Sequence, residues 1–347
     1  MPAPIELVVI VPARNEEAAL PTCLASLLPQ SEPGFELGVH WQLIVVDDGS
    51  TDTTRALAQA QAGVIVLEAT PLDPTGGFHG KTNACWTGAQ YAITNFQPKW
   101  LVFTDADTIH ASNSLSRSMR EAEKHGAAML SYSPGQITTG FLQAAVTPLI
   151  FSELASVYPP AKVSDPANRL AAANGQFILI DREAYTAIGG HRAVGPEILE
   201  DVVLARNLKR SSRHLRFRYA PEMIAARMYR GTPSMIEGWS KNLVLLFPAP
   251  VALIFWRILD LLLFFGLPAL AAGLPFLLTW QREVIGVLWL RTVYRFYNRV
   301  ARAHAGFSGT IISIFGIPFF VYLLARSLQL HRIKKQVTWK GRSYPAQ

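Results

Sequence analysis

Residues 41–62 read WQLIVVDDGSTDTTRALAQAQA, and the order of residue types in this stretch sets the fold. Leu43-Ile44-Val45-Val46 is an apolar, mostly β-branched run that predicts a strand. The strand ends on acidic and turn-forming residues, Asp47-Asp48-Gly49-Ser50, and a helix-forming segment follows from Thr53. The same alternation surrounds it. Upstream, ELVVIVPA (6–13) reads as a strand and EEAALPTCLASLL (16–28) as a helix. Downstream come a strand at 63–69 (GVIVLEA), a helix at 81–95 and a strand in WLVFTDAD (100–107). Strands alternating with helices predict an α/β fold, a mostly parallel sheet with helices on both faces. Ligands of such sheets bind beyond the carboxyl ends of the strands. Arg14-Asn15-Glu16, Asp47-Asp48 and Asp105-Ala106-Asp107 all stand at such ends.

The 347-residue chain is 50% hydrophobic and 16% charged, against about 25% charged in an average soluble domain. That composition excludes global disorder, and the length suits about two domains. Two cysteines, Cys23 and Cys85, without C-x-x-C spacing exclude a disulfide scaffold and a thiolate zinc site, and fit a reducing compartment. A net charge of +7 points to an anionic partner: nucleotide, nucleic acid or membrane surface.

The apolar excess lies in the C-terminal third. Between Lys241 and Arg282 the only charged residues are Arg257 and Asp260, and between His304 and Arg326 there are none. A spanning helix needs about 20 mostly apolar residues, which predicts membrane segments near Ile258–Thr279 and Ala305–Ala325. A weaker stretch from Val284 (VIGVLWL) runs into Arg291, Arg295, Arg299 and Arg302. From Arg326 onward the chain is basic without Asp or Glu, so this flank is expected on the cytoplasmic side, near anionic headgroups. Its juxtamembrane position sets nucleic acid aside as the partner. MPAPIELVVIVPARNEE, with neither basic n-region nor long apolar h-region, predicts no secretory signal. The expected organisation is an α/β domain over 1–240, a membrane region over 241–330 and a basic cytoplasmic tail over 331–347. The expected location is multi-pass, in the inner (plasma) membrane, with an even number of crossings.

No G-x-G-x-x-G follows the first strand, where the sequence is PARNEE, so a nicotinamide-binding domain is disfavoured. GGFHGKT (76–82) lacks the spacing of a Walker loop, although Lys81 remains a candidate phosphate ligand. Neither G-x-S-x-G nor H-E-x-x-H occurs. Asp105 and Asp107, two apart at a strand end, suit a hard divalent cation that also takes phosphate oxygens; a solvated turn is the plainer alternative. For Asp47-Asp48 the alternative is an Asx-type cap before the helix. Glu200-Asp201 sits within the apolar ILEDVVLA (198–205). Buried carboxylates are costly unless paired or functional, and a raised pKa suits a general base; carboxylates complementing a helix dipole are the other reading.

In order, VIVPARNE (9–16), the VVDDGSTD strand end, Gly80-Lys81, Asp105-Ala106-Asp107 and Glu200-Asp201 resemble the family 2 glycosyltransferases of GT-A fold. Asn174-Gly175-Gln176-Phe177, Gly189-Gly190-His191, Gly238-Trp239-Ser240-Lys241-Asn242 and Trp339-Lys340-Gly341-Arg342 are similar to the membrane-anchored branch associated with hopanoid and carotenoid biosynthesis. The resemblance covers nearly the whole chain. It implies inverting transfer of a sugar from a nucleotide-sugar donor to a hydroxyl of a membrane lipid: isoprenoid, carotenoid, hopanoid or glycerolipid. By the same resemblance Pro12, Arg14, Asn15, Glu16, Asp47 or Asp48, Lys81 and Asp105 bind the donor nucleotide. Asp105 and Asp107 hold Mg²⁺ or Mn²⁺, and Asp201 is the general base. Asn174, Gly175, Gln176, Phe177, Glu200 and Trp239 lie on the acceptor side, with Trp239 equally readable as an interface anchor. Because Glu200 and Asp201 would point about 100° apart on a helix, only one is expected to face the acceptor. The Q-x-x-R-W motif of processive synthases is absent, Gly238-Trp239 being its nearest positional relative, so polymer synthesis is not implied. No membrane helix is predicted ahead of the first strand, where the branch often carries one. Apolar 141–158 reads either as a core helix on the sheet or as an interfacial helix. A sugar nucleotidyltransferase and a catalytically silent membrane scaffold are the alternative functions.

Overall fold

The computed structural model describes residues 5–30, 32–71 and 78–345. The chain divides into two compact units, Met1–Ile137 with Tyr158–Met228, and Thr138–Val157 with Tyr229–Gln347.

The first unit is built on strands β1 (Leu7–Ala13), β2 (Trp41–Asp47), β3 (Val64–Glu68), β4 (Trp100–Phe103), β5 (Thr108–His110), β6 (Met129–Ser133), β7 (Gly135–Gln136), β8 (Ile178–Asp181), β9 (Leu215–Tyr219) and β10 (Ile224–Ala226). Among the described residues seven of these form one sheet in the order β3-β2-β1-β4-β8-β6-β9, and β5-β10-β7 form a smaller one. The pairs β1–β2, β2–β3, β1–β4 and β6–β9 are parallel; β8 runs antiparallel to β4 and β6. The main sheet is thus mostly parallel, as the alternation predicted.

Both faces of its centre are buried. Leu7, Val9, Val11, Leu43 and Val45 point to a core with Leu20, Leu24 and Leu27. Val8, Ile10, Ile44 and Val46 point to the opposite core with Ala84, Ala89 and Leu204. Continuous apolar runs such as LVVIV are therefore required where half-buried strands would alternate. Gly88, in the helix Gly80–Phe96, sets how closely that helix lies on the sheet: a Cβ there would stand 2.6 Å from Ile10 Cγ2 and 3.0 Å from Val46 Cγ2.

After β1 the chain builds outward through β2 and β3, then returns to place β4 on the other side of β1. The carboxyl ends of β1 and β4 therefore flank a topological switch point, where an open α/β sheet leaves a crevice. Pro12 and Asp105 stand at its two sides.

The second unit is mainly helical. Three of its helical segments are long and apolar enough to cross a membrane: Gly140–Val157, Pro250–Gly273 and Gly306–Lys334, among the described residues. The span expected over Ile258–Thr279 instead begins at Pro250 and stops at Gly273. Pro275 just beyond lacks the N–H that would continue the helix. The Val284 stretch belongs to a separate helix, Thr279–Val300. The apolar 141–158 segment packs on residues of this second unit: Gly309 lies against Pro148, and a Cβ at Gly316 would overlap the Ala145 carbonyl. Four charged groups meet in the same unit. Arg257 Nη1 lies 2.8 Å from Glu153 Oε1 and 3.2 Å from Asp260 Oδ2, and Arg299 Nη2 is 2.5 Å from Asp260 Oδ2. Two cations and two anions cancel, which is the condition for holding charge among apolar helices. The basic tail folds into a hairpin, Gln336–Trp339 with Arg342–Pro345, and Lys241 Nζ lies 5.6 Å from the centre of the Trp339 ring.

Candidate active site

The crevice is walled by Pro12, Lys81, Asp105, Gly175, Glu200 and Asp201. They arrive on five separate segments, Glu200 and Asp201 sharing one. Lys81 stands in the first turn of Gly80–Phe96, whose start is pinned by the His79 N–H donating to the Gly195 carbonyl at 2.9 Å. Asp105 follows β4, held in line by the Thr104 N–H on the Ile10 carbonyl at 3.1 Å. Glu200 and Asp201 open the helix Glu200–Arg210, where acidic groups complement the dipole.

Lys81 Nζ bridges two carboxylates, Asp105 Oδ1 at 2.8 Å and Glu200 Oε1 at 3.1 Å. Burial would lower its pKa, but Asp105 and Glu200 outweigh that and hold it well above the ordinary lysine value. It stays cationic. Asp201 accepts the Gly175 N–H on Oδ2 and the Val202 N–H on Oδ1, both at 2.8 Å. Burial, and then the neighbouring Glu200 charge, push its carboxyl up to about 6; Lys81 and the two N–H groups oppose the rise. Such a group is largely ionised at neutral pH yet basic enough to take a proton. Glu200 and Asp201, expected to point about 100° apart on the helix, both line the crevice. They do so because Lys81 draws Glu200 inward while Gly175 holds Asp201.

Gly175 owes its place to this crowding. A Cβ there would stand 2.8 Å from Lys81 Nζ, 3.5 Å from Asp201 Oδ2 and 3.6 Å from Glu200 Oε1. The rest of its turn makes local contacts. Asn174 Oδ1 accepts the Gln176 N–H at 3.0 Å, and the Gln176 side chain is buried beside Gln136. Phe177 is fully buried and stacks on Tyr132 with ring centres 5.0 Å apart, a core position. Trp239 lies in the second unit, its ring buried edge-on to Phe151 and Tyr229.

The β1 and β2 loops are stitched together. Arg14 Nη1 donates to the Asp48 carbonyl at 2.6 Å, the Asn15 N–H to Ser50 Oγ at 3.1 Å, and the Glu16 N–H to Thr54 Oγ1 at 2.7 Å. Asn15, at φ 51°, accepts the Thr51 N–H at 2.9 Å. Asp47 accepts the Ser50 N–H at 3.3 Å, closing an Asx-type turn. These groups brace the loops that follow β1 and β2.

Asp107 accepts the Arg227 N–H on its main-chain carbonyl at 2.9 Å, which fixes the turn carrying both acidic side chains. Among the described residues no group of three or more His, Cys, Asp or Glu is placed to hold a metal ion. Two half-buried carboxylates at one strand end still fit Mg²⁺ or Mn²⁺, since such ions use one or two carboxylates and complete their shell with water and phosphate oxygens. Gly76 and Gly77 of the Walker-like stretch lie outside the described residues.

Sequence reasoning passed over a buried polar group behind the acidic turn, Thr104, Thr108 and His110, and it gave the crevice-lining His191 no place at the site although Gly189-Gly190-His191 carried part of the resemblance. His191 is buried, with Nδ1 3.0 Å from the Tyr185 hydroxyl, and burial lowers its pKa to about 4. The available signal was the alternation of Thr and His around the acidic pair in TDADTIH (104–110).

Residues 8–188 match the sequence model described as Glycosyl transferase family 2. The chain is 29% identical over 355 residues to a 4,4'-diaponeurosporenoate glycosyltransferase of Staphylococcus aureus strain MRSA252, covering 97% of this chain and 88% of the relative. With the same enzyme from strain USA300 it shares 30% over 242 residues, covering 68% of this chain and 60% of that one. Among solved structures, a mannosyltransferase from Pyrobaculum calidifontis in complex with GDP-Man and Mn²⁺ superposes with a TM-score of 0.54 at 14% identity, covering 96% of this chain and 88% of that one. That likeness shows a shared GT-A fold. With more than half of its length matching the family, the chain belongs to glycosyl transferase family 2 and is a glycosyltransferase.

Proposed function

We propose that the protein transfers a sugar, with inversion, from a nucleoside diphosphate sugar to an oxygen nucleophile on a membrane lipid, in a metal-dependent reaction. The observation that carries this reading is the meeting of Lys81, Asp105, Glu200 and Asp201 in one crevice at the switch point. Asp47 and Asp48 stand where the nucleoside would lie, at the end of β2. Asp105 and Asp107 would hold the Mg²⁺ or Mn²⁺, and the Pyrobaculum mannosyltransferase, solved with GDP-Man and Mn²⁺, supports that choice. The cation supplies positive charge against the departing diphosphate. Lys81, kept protonated by its two carboxylates, adds a second positive charge. Asp201 takes the proton of an acceptor hydroxyl as its oxygen forms the bond to the anomeric carbon and the bond to the diphosphate oxygen breaks. A single displacement of this kind inverts the centre.

A second acceptor chemistry is favoured by one observation. The curated relatives are named for 4,4'-diaponeurosporenoate, an acid. A carboxylate acceptor arrives deprotonated and would form a glycosyl ester without a general base.

The three long apolar helices support attachment to a membrane, where a lipid acceptor resides. Gly140–Val157 is flanked on both sides by residues of the first unit, Ile137 and Tyr158, so it makes no net crossing and suits an interfacial position. Pro250–Gly273 and Gly306–Lys334 are then the two crossings, which keeps the catalytic unit and the tail on the cytoplasmic face. The test is incubation of the purified chain and native lipid extract with a panel of nucleotide sugars and Mn²⁺, followed by mass spectrometry of the lipids. A metal-dependent mass gain of one hexose on a lipid is expected. Formation of a nucleotide sugar from a sugar phosphate, with no lipid product, would replace this reading with the nucleotidyltransferase.

A further inference from the structure

Behind the acidic turn lies a closed set of buried hydrogen bonds. The Thr104 hydroxyl is 2.8 Å from the Gln176 carbonyl, and the Thr108 hydroxyl is 2.7 Å from the Asp105 carbonyl. His110 Nε2 sits 3.1 Å from both hydroxyl oxygens, which are 3.0 Å from each other. Thr104, Thr108 and His110 are all buried.

Proton counting fixes the imidazole. Each threonine has one hydroxyl proton, and each has a carbonyl at its shortest distance that can only accept. With both protons spent on the carbonyls, the hydroxyl oxygens offer lone pairs to His110, so Nε2 must carry the hydrogen. The other ring nitrogen agrees: Nδ1 is buried without a hydrogen-bond partner. A lone pair there costs less than a stranded N–H, because orphaned buried donors are the rarer defect. An imidazolium would strand an N–H and bury a charge, and burial accordingly holds the pKa down at about 3.

We propose that His110, neutral and protonated on Nε2, is a positioning residue that locks the Asp105–Asp107 turn to the Asn174–Phe177 turn. Through Thr108 it fixes the main chain of Asp105, whose carboxylate meets Lys81. Through Thr104 it fixes the main chain of Gln176, next to the Gly175 N–H that holds Asp201. Donor side and acceptor side are registered by one ring. The inference rests on the glycosyl-transfer reading only for its effect on turnover.

The first test is nitrogen NMR of the full-length protein in detergent with labelled histidine, assigned by loss of one signal in His110→Gln. A pyrrole-type Nε2 and a pyridine-type Nδ1 are expected, unchanged from about pH 5 to 8, where ordinary histidines titrate. An Nδ1–H tautomer, or titration in that range, would overturn the proposal whatever the enzyme's activity. The second test compares His110→Gln, whose amide can restore the N–H donor, with His110→Leu and with Thr104→Val, which removes the tie to Gln176 together with one of the two acceptors of the His110 N–H and leaves the Thr108–Asp105 tie in place. Amide exchange at Thr108 and Gly175 should quicken in the Leu and Val variants and return toward wild type in Gln. Mn²⁺-dependent nucleotide affinity and kcat should each fall by about 10–100-fold, the usual cost of removing a group that orients a ligand. A folded His110→Leu protein with wild-type exchange at both amides would refute the coupling.

Discussion

Replacing Asp201 by Asn separates the two acceptor chemistries. With a carboxyl pKa of about 6, roughly nine tenths of the native group is ionised at about pH 7 and a tenth at about pH 5. Transfer to an alcohol should therefore slow about tenfold between those values. Asp201→Asn removes the base, so alcohol transfer should drop by about 10²–10⁴-fold at neutral pH and lose its pH dependence near 6. Transfer to a carboxylic acid lipid, which needs no base there, should be spared. The variant should fold. Of the two N–H groups that now reach Asp201 at 2.8 Å, an amide can accept only one. The loss is opposed by relief of a buried charge. The folded chain keeps this proton up to about 6, while the unfolded aspartate releases it near 3.8. The carboxylate thus weakens the native state progressively as pH rises through that window, and by a constant amount above it. The melting temperature of Asp201→Asn should gain on wild type over the same window. The assay is product formation with matched alcohol and acid lipids across pH, beside thermal unfolding. Near-wild-type alcohol transfer by a folded Asp201→Asn would refute the base assignment and make Glu200 the next carboxylate to remove.

Asp107→Asn should lose the metal-dependent part of nucleotide affinity, read by calorimetry with and without chelator; equal affinity in all four conditions would leave the acidic turn without a metal role. Gly175→Ala should fold, since its closest clash is with the movable end of Lys81 at 2.8 Å, yet slow turnover by about 10²-fold by displacing that ammonium. Wild-type turnover would show that Lys81 has no fixed position in the reaction. Arg257→Met should destabilise the second unit by about 3–5 kcal/mol, because it leaves Glu153 and Asp260 facing each other with one cation fewer. Pairing it with Glu153→Gln should recover most of that loss in a detergent melting assay, and additive losses would argue against a coupled cluster.

Much of the catalytic unit was legible in the sequence because its causes are local. Short β-branched apolar runs bounded by turn residues read as strands buried on both faces, and their order with intervening helices makes the sheet mostly parallel. Strand ends then collect polar residues, and Asp47, Asp48, Asp105 and Asp107 stand at the ends of β2 and β4 as that reading expected. The long apolar helices of the second unit were legible for a similar reason, since length and absence of charge are properties of a single stretch. Which side chains meet was decided by the tertiary structure. Lys81, Asp105 and Glu200 are far apart in sequence and form one ion-paired set only because three elements end at the same crevice. Phe177 reads like an acceptor contact beside Gly175, but its ring stacks on Tyr132 in the core that also holds Leu179. Arg14 and Asn15 sit at a strand end as expected, and there Arg14 Nη1 and Asn15 Oδ1 also brace the neighbouring loop. His110 gave only the hint of Thr and His around an acidic pair. Its role depends on two hydroxyl protons being claimed by carbonyls of two separate turns, a count that exists only once the chain has folded.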